Sequence, residues 1–99
     1  MESKPKLLKL AERDLEGILE YKSMLYPGTA GRFIDELEEV LDNIAEFPLM
    51  YPVYENNPRY RRAIVNEYLL FYQVVDKKPK VRVCRILHGK RDLIKLLSK

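Results

Sequence analysis

The residues best equipped for chemistry lie together in VRVCRILHGKRDL, residues 81–93. This stretch holds the chain's one His and one Cys, His88 and Cys84, with Arg82, Arg85, Lys90 and Arg91. A ring nitrogen at His88 can shuttle a proton near neutral pH, and clustered cations can hold a phosphate as charge develops on it. Arg62, Arg85, His88 and Arg91, converging from neighbouring strands, would supply some of what metal-free RNA cleavage needs. Arg61, Arg62, Arg82, Arg85, Lys90 and Arg91 can equally form a recognition edge for an anionic partner, with His88 and Gly89 shaping the turn. Cys84 reads as a small buried hydrophobe. The chain has no P-loop, no GxGxxG and no serine placed with a base, and one His with one Cys cannot make a zinc site alone. No cofactor and no metal are expected.

These residues sit on what reads as a strand, and the rest of the chain supplies its frame. Residues 4–10 suggest a short first strand, which Pro5 confines to an edge or a strand start. From Ala11 the period becomes helical: Ala11, Leu15, Ile18, Leu19, Leu25 and Tyr26 share a face interrupted by Lys22. Pro27-Gly28 ends that helix. Thr29 is the expected N-cap of a second, in which Phe33, Ile34, Leu37, Val40, Leu41 and Ile44 form an apolar stripe. Its other face carries Asp35, Glu36, Glu38, Glu39, Asp42 and Glu46, the mark of a solvated surface. Phe47-Pro48 stops it.

Residues 48–60, with three prolines, read as a loop. Three strands then follow, Arg61 to Asn66, Tyr68 to Asp76 and Lys80 to His88, joined by short links that make them antiparallel neighbours. In the last, alternation places Val81, Val83, Arg85 and Leu87 on one face and Arg82, Cys84, Ile86 and His88 on the other. Both faces are partly apolar, so this strand is expected to be central. Arg85 between two apolar residues then calls either for a carboxylate, with Glu67 or Asp92 as the expected partner, or for a place along an open groove. Asp92 can cap a final short helix carrying Leu93, Ile94, Leu96 and Leu97. The expected architecture is α+β: a small antiparallel-type sheet, β-α-α-β-β-β with a short C-terminal helix. A two-helix hairpin backs one face and leaves the other available.

Ninety-nine residues allow one domain, 1–99. A single cysteine excludes an internal disulfide, and with the charged start MESKPK no secretory leader is expected. No run is apolar and long enough to span a bilayer, so a cytoplasmic protein without a membrane partner is expected. The net charge of +3 conceals a sharper division. Residues 1–50 hold 6 Lys/Arg against 11 Asp/Glu, and residues 51–99 hold 12 against 4, giving −5 and +8. Such asymmetry signals either an acidic partner for the second half or an acidic helical layer that simply neighbours a basic sheet.

Four stretches carry a resemblance to a known family. AERDLEGILEY (11–21), RFIDELEEVLDNIAEFP (32–48), YLLFYQV (68–74) and RILHGKRDL (85–93) together resemble the RelE/ParE superfamily, the toxins of bacterial and archaeal type II toxin–antitoxin systems. The Tyr-x-x-x-Tyr strand followed by the Leu-His-Gly-x-Arg-Asp turn is the most specific part. The resemblance implies a small sheet backed by a helical hairpin, with a concave basic face neutralised by an antitoxin. It also implies two activities. RelE-type members are ribosome-dependent mRNA endonucleases, or mRNA interferases; ParE-type members lack a nuclease site and poison DNA gyrase by protein–protein contact.

The residues discriminate between the two. The RelE-type pattern has an arginine after the first tyrosine of the third strand, where this chain has Leu69. Arg91 matches the arginine after the Gly-Lys turn but suits the ParE side equally. The C-terminal tyrosine of the nuclease set falls near Leu97, and the last tyrosine here is Tyr72. The resemblance therefore points to a ParE-like toxin of a plasmid-stabilisation module. Its implied partners are a cognate antitoxin and DNA gyrase, and a homodimer or a hetero-oligomer with the antitoxin is compatible with it. The alternatives are a RelE-like endonuclease acting on ribosome-bound mRNA and an inactive interaction module that keeps the fold.

Overall fold

The computed structural model describes residues 4–75 and 80–90. Their elements are β1 (Lys6–Leu7), α1 (Lys9–Ser23), α2 (Thr29–Glu46), β2 (Arg61–Val65), β3 (Tyr68–Val75) and β4 (Lys80–His88). The strands form one sheet in the order β1-β4-β3-β2. β2–β3 and β3–β4 are antiparallel, whereas β1 runs parallel to β4, so this α+β sheet is mixed. β4 is central, as its two-sided apolar content requires. The expected helix of Leu93, Ile94, Leu96 and Leu97 lies outside the described residues.

α2 folds as its periodicity dictates. Phe33, Leu37, Leu41 and Ile44 are buried, while Asp35, Glu36, Glu38, Glu39, Asp42 and Glu46 face solvent. The stripe is narrower than expected, because Val40 is half-buried and Ile34 is exposed. Thr29 is not the cap. Gly28 holds that position at φ 84, a left-handed conformation that a residue without Cβ takes at little cost, and Thr29 already belongs to the helix. The Thr29 hydroxyl instead donates to the Tyr26 carbonyl at 2.7 Å, closing the turn between the helices.

α1 starts earlier than its apolar period suggests, at Lys9, because β1 is only two residues long. Lys22, which breaks the apolar face in sequence, is only 4% exposed. Its Nζ lies 5.5 Å and 5.6 Å from the ring centroids of Phe33 and Tyr68. It also stands 4.0 Å from Glu67 Oε1. The methylene stem packs with the core while the ring faces and a carboxylate stabilise the ammonium.

The main core lies between the helices and one sheet face. Ala63 and Val65 of β2, Tyr68, Leu70 and Tyr72 of β3, and Val83 and Ile86 of β4 meet the helical side chains there. Tyr72 is fully buried and its hydroxyl donates to the Pro48 carbonyl at 2.8 Å, anchoring the start of the long loop. β2 and β3 join through a two-residue turn with Asn66 at φ 61, a conformation Asn tolerates better than most side chains.

Candidate functional site

β4 departs from simple alternation. Phe71 pairs with Arg85 but Tyr72 pairs with Val83, which leaves Cys84 as an extra residue in a bulge. The bulge inverts the faces beyond it, so Ile86 joins Val83 against the helices while Leu87 turns to the opposite face. The alternation expected for residues 81–88 therefore holds only up to Val83.

The opposite face is not left open, as the sequence suggests. The loop between α2 and β2 folds over it, and Tyr54 packs with Phe71 and Leu87 in a second apolar cluster flanked by Tyr60 and Leu69. The Tyr54 and Tyr60 rings meet Phe71 edge-on at 5.0 Å and 6.1 Å. Backbone bonds hold the loop there: Tyr54 N–H donates to Tyr60 O at 2.8 Å and Arg62 N–H to Pro52 O at 3.0 Å.

What remains between this loop and the start of α1 is a groove of about 620 Å³. Leu8, Lys9 and Leu10 form one wall, and Asn57, Arg59 and Tyr60 form the other. Gln73, Arg82, Cys84 and Arg85 supply its floor. Among the described residues no carboxylate lines it. A second groove of about 370 Å³, with Lys4, Lys6, Lys80 and Val75, shares Leu8 and Arg82 with the first. The two make a continuous cationic stripe along β4 and β1. Among the described residues, Lys9, Arg59 and Arg82 form no ion pair with a carboxylate; Arg82 Nε donates to Gln73 Oε1 at 3.2 Å.

Arg85 is the exception. Its fork closes on Asp14 of α1, with Nε–Oδ2 at 2.8 Å and Nη2–Oδ1 at 3.1 Å. The same carboxylate accepts the Ile86 backbone N–H at 3.0 Å. β1 ends opposite Val83, so beyond that point Asp14 does for the β4 edge what a strand would do. The expected partners were Glu67 and Asp92; Glu67 instead faces Lys22, and Asp92 lies outside the described residues.

The other sequence-selected residues occupy separate places. Arg61 Nη1 donates to the Tyr51 carbonyl at 2.7 Å and fastens the loop. Arg62 stands across from Phe71, on the groove side of the sheet, whereas His88 stands across from Tyr68, on the helix side. His88 Nδ1 accepts the Lys90 N–H at 3.1 Å, and the Gly89 N–H donates to Glu67 O at 3.0 Å, so this turn is held from two sides. The His88 and Tyr68 rings are edge-on at 5.3 Å. Arg91 lies outside the described residues. Burial pushes the Cys84 thiol above its ordinary range, partly offset by Arg82. Among the described residues no cluster of His, Cys, Asp or Glu could hold a metal, and no helix is long and apolar enough to cross a membrane.

Arg62, Arg85 and His88 are thus not drawn into one centre. The groove is built instead on Arg82 with Lys9 and Arg59, two residues whose positions no local pattern marks.

Comparison with known proteins agrees with the fold. The chain is similar over 90% of its length to a structure titled "Chromosomal ParDE TA system from P. aeruginosa", with a TM-score of 0.74 and 16% identity, covering 98% of that chain. At that identity the likeness shows the fold alone. No curated protein matches the chain. A family model described as "ParE toxin of type II toxin-antitoxin system, parDE" matches residues 6–93. This chain belongs to the ParE toxin family of type II toxin–antitoxin systems.

Proposed function

We propose that this ParE-family toxin acts in the cytoplasm by poisoning DNA gyrase through protein–protein contact. A cognate antitoxin holds it inactive by laying an acidic, partly disordered segment across the basic half. The observation that carries the reading is the family match through residues 6–93, joined to a groove that collects cations and, among the described residues, has no carboxylate in its lining. An acidic segment finds complementary charge there, and ordering it on binding suits a partner that must also be released. Placement of Arg62 and His88 on opposite sheet faces, with Arg85 closed on Asp14, supports contact over acid–base cleavage.

The test uses purified toxin in a gyrase supercoiling assay and, separately, with ribosomes programmed with mRNA. Inhibited supercoiling with intact message is the expected result. Message cut in the ribosomal A site, and protected by His88→Ala or Arg62→Ala, overturns the reading in favour of an endonuclease. Intact message with full supercoiling in both assays leaves the fold as an inactive interaction module.

A further inference from the structure

The groove over β4 has a chemistry of its own. Arg82 and Arg59 approach from floor and wall, Lys9 stands at the start of α1, and Tyr60 and Asn57 complete the lining. Lys80 and Lys6 continue the positive charge into the adjoining recess, which shares Arg82. Guanidinium groups hold phosphate oxygens in bidentate fashion, an aromatic ring offers a stacking surface to a base, and an amide offers hydrogen bonds to its edge.

Two features keep the recess from the two common modes of peptide docking, so an acidic antitoxin segment would be held there by charge alone. Adding a peptide strand requires an open strand edge, but the β4 edge here is already taken by β1 and, beyond it, by Asp14. Docking an amphipathic helix requires an apolar floor, and this floor carries Arg82, Gln73 and Arg85. A duplex is a poor fit for the opposite reason: it presents a convex cylinder, whereas these cations line a concavity of about 620 Å³.

We propose that the groove lined by Lys9, Arg59, Tyr60 and Arg82 binds the phosphodiester backbone of a single-stranded nucleic acid. An antitoxin lying over the basic half covers this site. The inference names what the uncovered groove holds, and it does not depend on gyrase being the target.

The test measures fluorescence anisotropy of labelled single-stranded DNA and RNA, each about fifteen nucleotides long, against the full chain at about 50–200 mM salt. Both should bind, and comparing them tells which sugar the groove prefers. Arg82→Ala and Arg59→Ala should each weaken binding several-fold at the lowest salt and reduce the slope of log K against log salt by about 0.7. Arg32→Ala, which alters an exposed cation on α2, should change neither. Because the free thiol of Cys84 lines the groove, bound oligonucleotide should also slow its alkylation.

Four outcomes would overturn the proposal: no binding of either oligonucleotide, a duplex bound more tightly than the single strand, poly-glutamate of equal length competing as well as the oligonucleotide, or Arg32→Ala weakening binding as much as Arg82→Ala. Since neither gyrase nor antitoxin is present, a failed binding curve leaves the supercoiling assay free to succeed.

Discussion

Asp14 is the residue whose removal should be felt most widely for its size. Its carboxylate accepts three hydrogen bonds, from Arg85 Nε at 2.8 Å, Arg85 Nη2 at 3.1 Å and Ile86 N at 3.0 Å. The side chains of Asp14 and Arg85 are 15% and 26% exposed, so the pair is shielded but still touched by water. Breaking a fully buried ion pair from one side costs about 3–5 kcal/mol. The partial exposure of Arg85 lowers that, and charge-assisted hydrogen bonds of about 1.5–3 kcal/mol set the floor. Asp14→Ala should therefore cost about 2–3 kcal/mol, or about 8–24 °C in melting temperature for a chain this size. Asp14→Asn keeps an acceptor for the Ile86 N–H and should cost less, about 1–2 kcal/mol. Urea unfolding followed by circular dichroism at neutral pH measures each variant, with the slope unchanged if the native state stays compact. The double-mutant cycle with Arg85→Ala should give a coupling of about 1–2 kcal/mol. A coupling within about 0.3 kcal/mol of zero would refute the reasoning, since the two side chains would then contribute independently.

Three further outcomes follow from the core and the groove. Leu37→Ala should destabilise by about 2–5 kcal/mol, because the side chain is buried beneath α2, and a melting curve matching the parent would deny that burial. Burial pushes the Tyr72 hydroxyl above its ordinary value of 10.0, opposed by Arg61, so the unfolded chain ionises first as the solution turns alkaline. The stabilisation from Tyr72 is complete below pH 10.0 and is lost as pH rises further; Tyr72→Phe should cost about 1 kcal/mol at neutral pH, and its urea midpoint should fall less than the parent's above that pH. The Cys84 thiol, also pushed up by burial from 9.0, should alkylate more slowly at that pH in the native protein than in urea, and equal rates would contradict its environment.

The elements that repeat a local period were legible in the sequence. α2 could be read because Phe33, Leu37, Leu41 and Ile44 recur on one face with carboxylates on the other, and the adjacency of β2, β3 and β4 followed from short links, whereas nothing local placed β1 parallel to β4. Contacts without a period were not. Asp14 meets Arg85 from 71 residues away, and no spacing rule relates them. The bulge at Cys84 inserts one residue without any Gly or Pro to mark it, yet it moves Ile86 and Leu87 to new faces. The loop posed a different difficulty. Its prolines announced irregular backbone, while Tyr54 and Tyr60 carried the quieter signal that it packs on apolar surface. That packing brings Arg59 to the groove wall, opposite Lys9 from the far end of the chain.

The charge division along the chain becomes a division in space. The acidic surface of α2 lies on the helical side of the sheet, and the groove opens on the reverse side beside β4. An anionic partner is repelled from one side and drawn to the other, so the field orients it before contact, and salt weakens that steering. From outside the groove lining, Asp14 works against this attraction by neutralising Arg85 on its floor. The same carboxylate that closes the β4 edge therefore limits how much positive charge the groove presents. Stability and anion affinity are set against each other at one residue: truncating Asp14 to Ala would free Arg85 for the groove and also leave the Ile86 N–H without its acceptor.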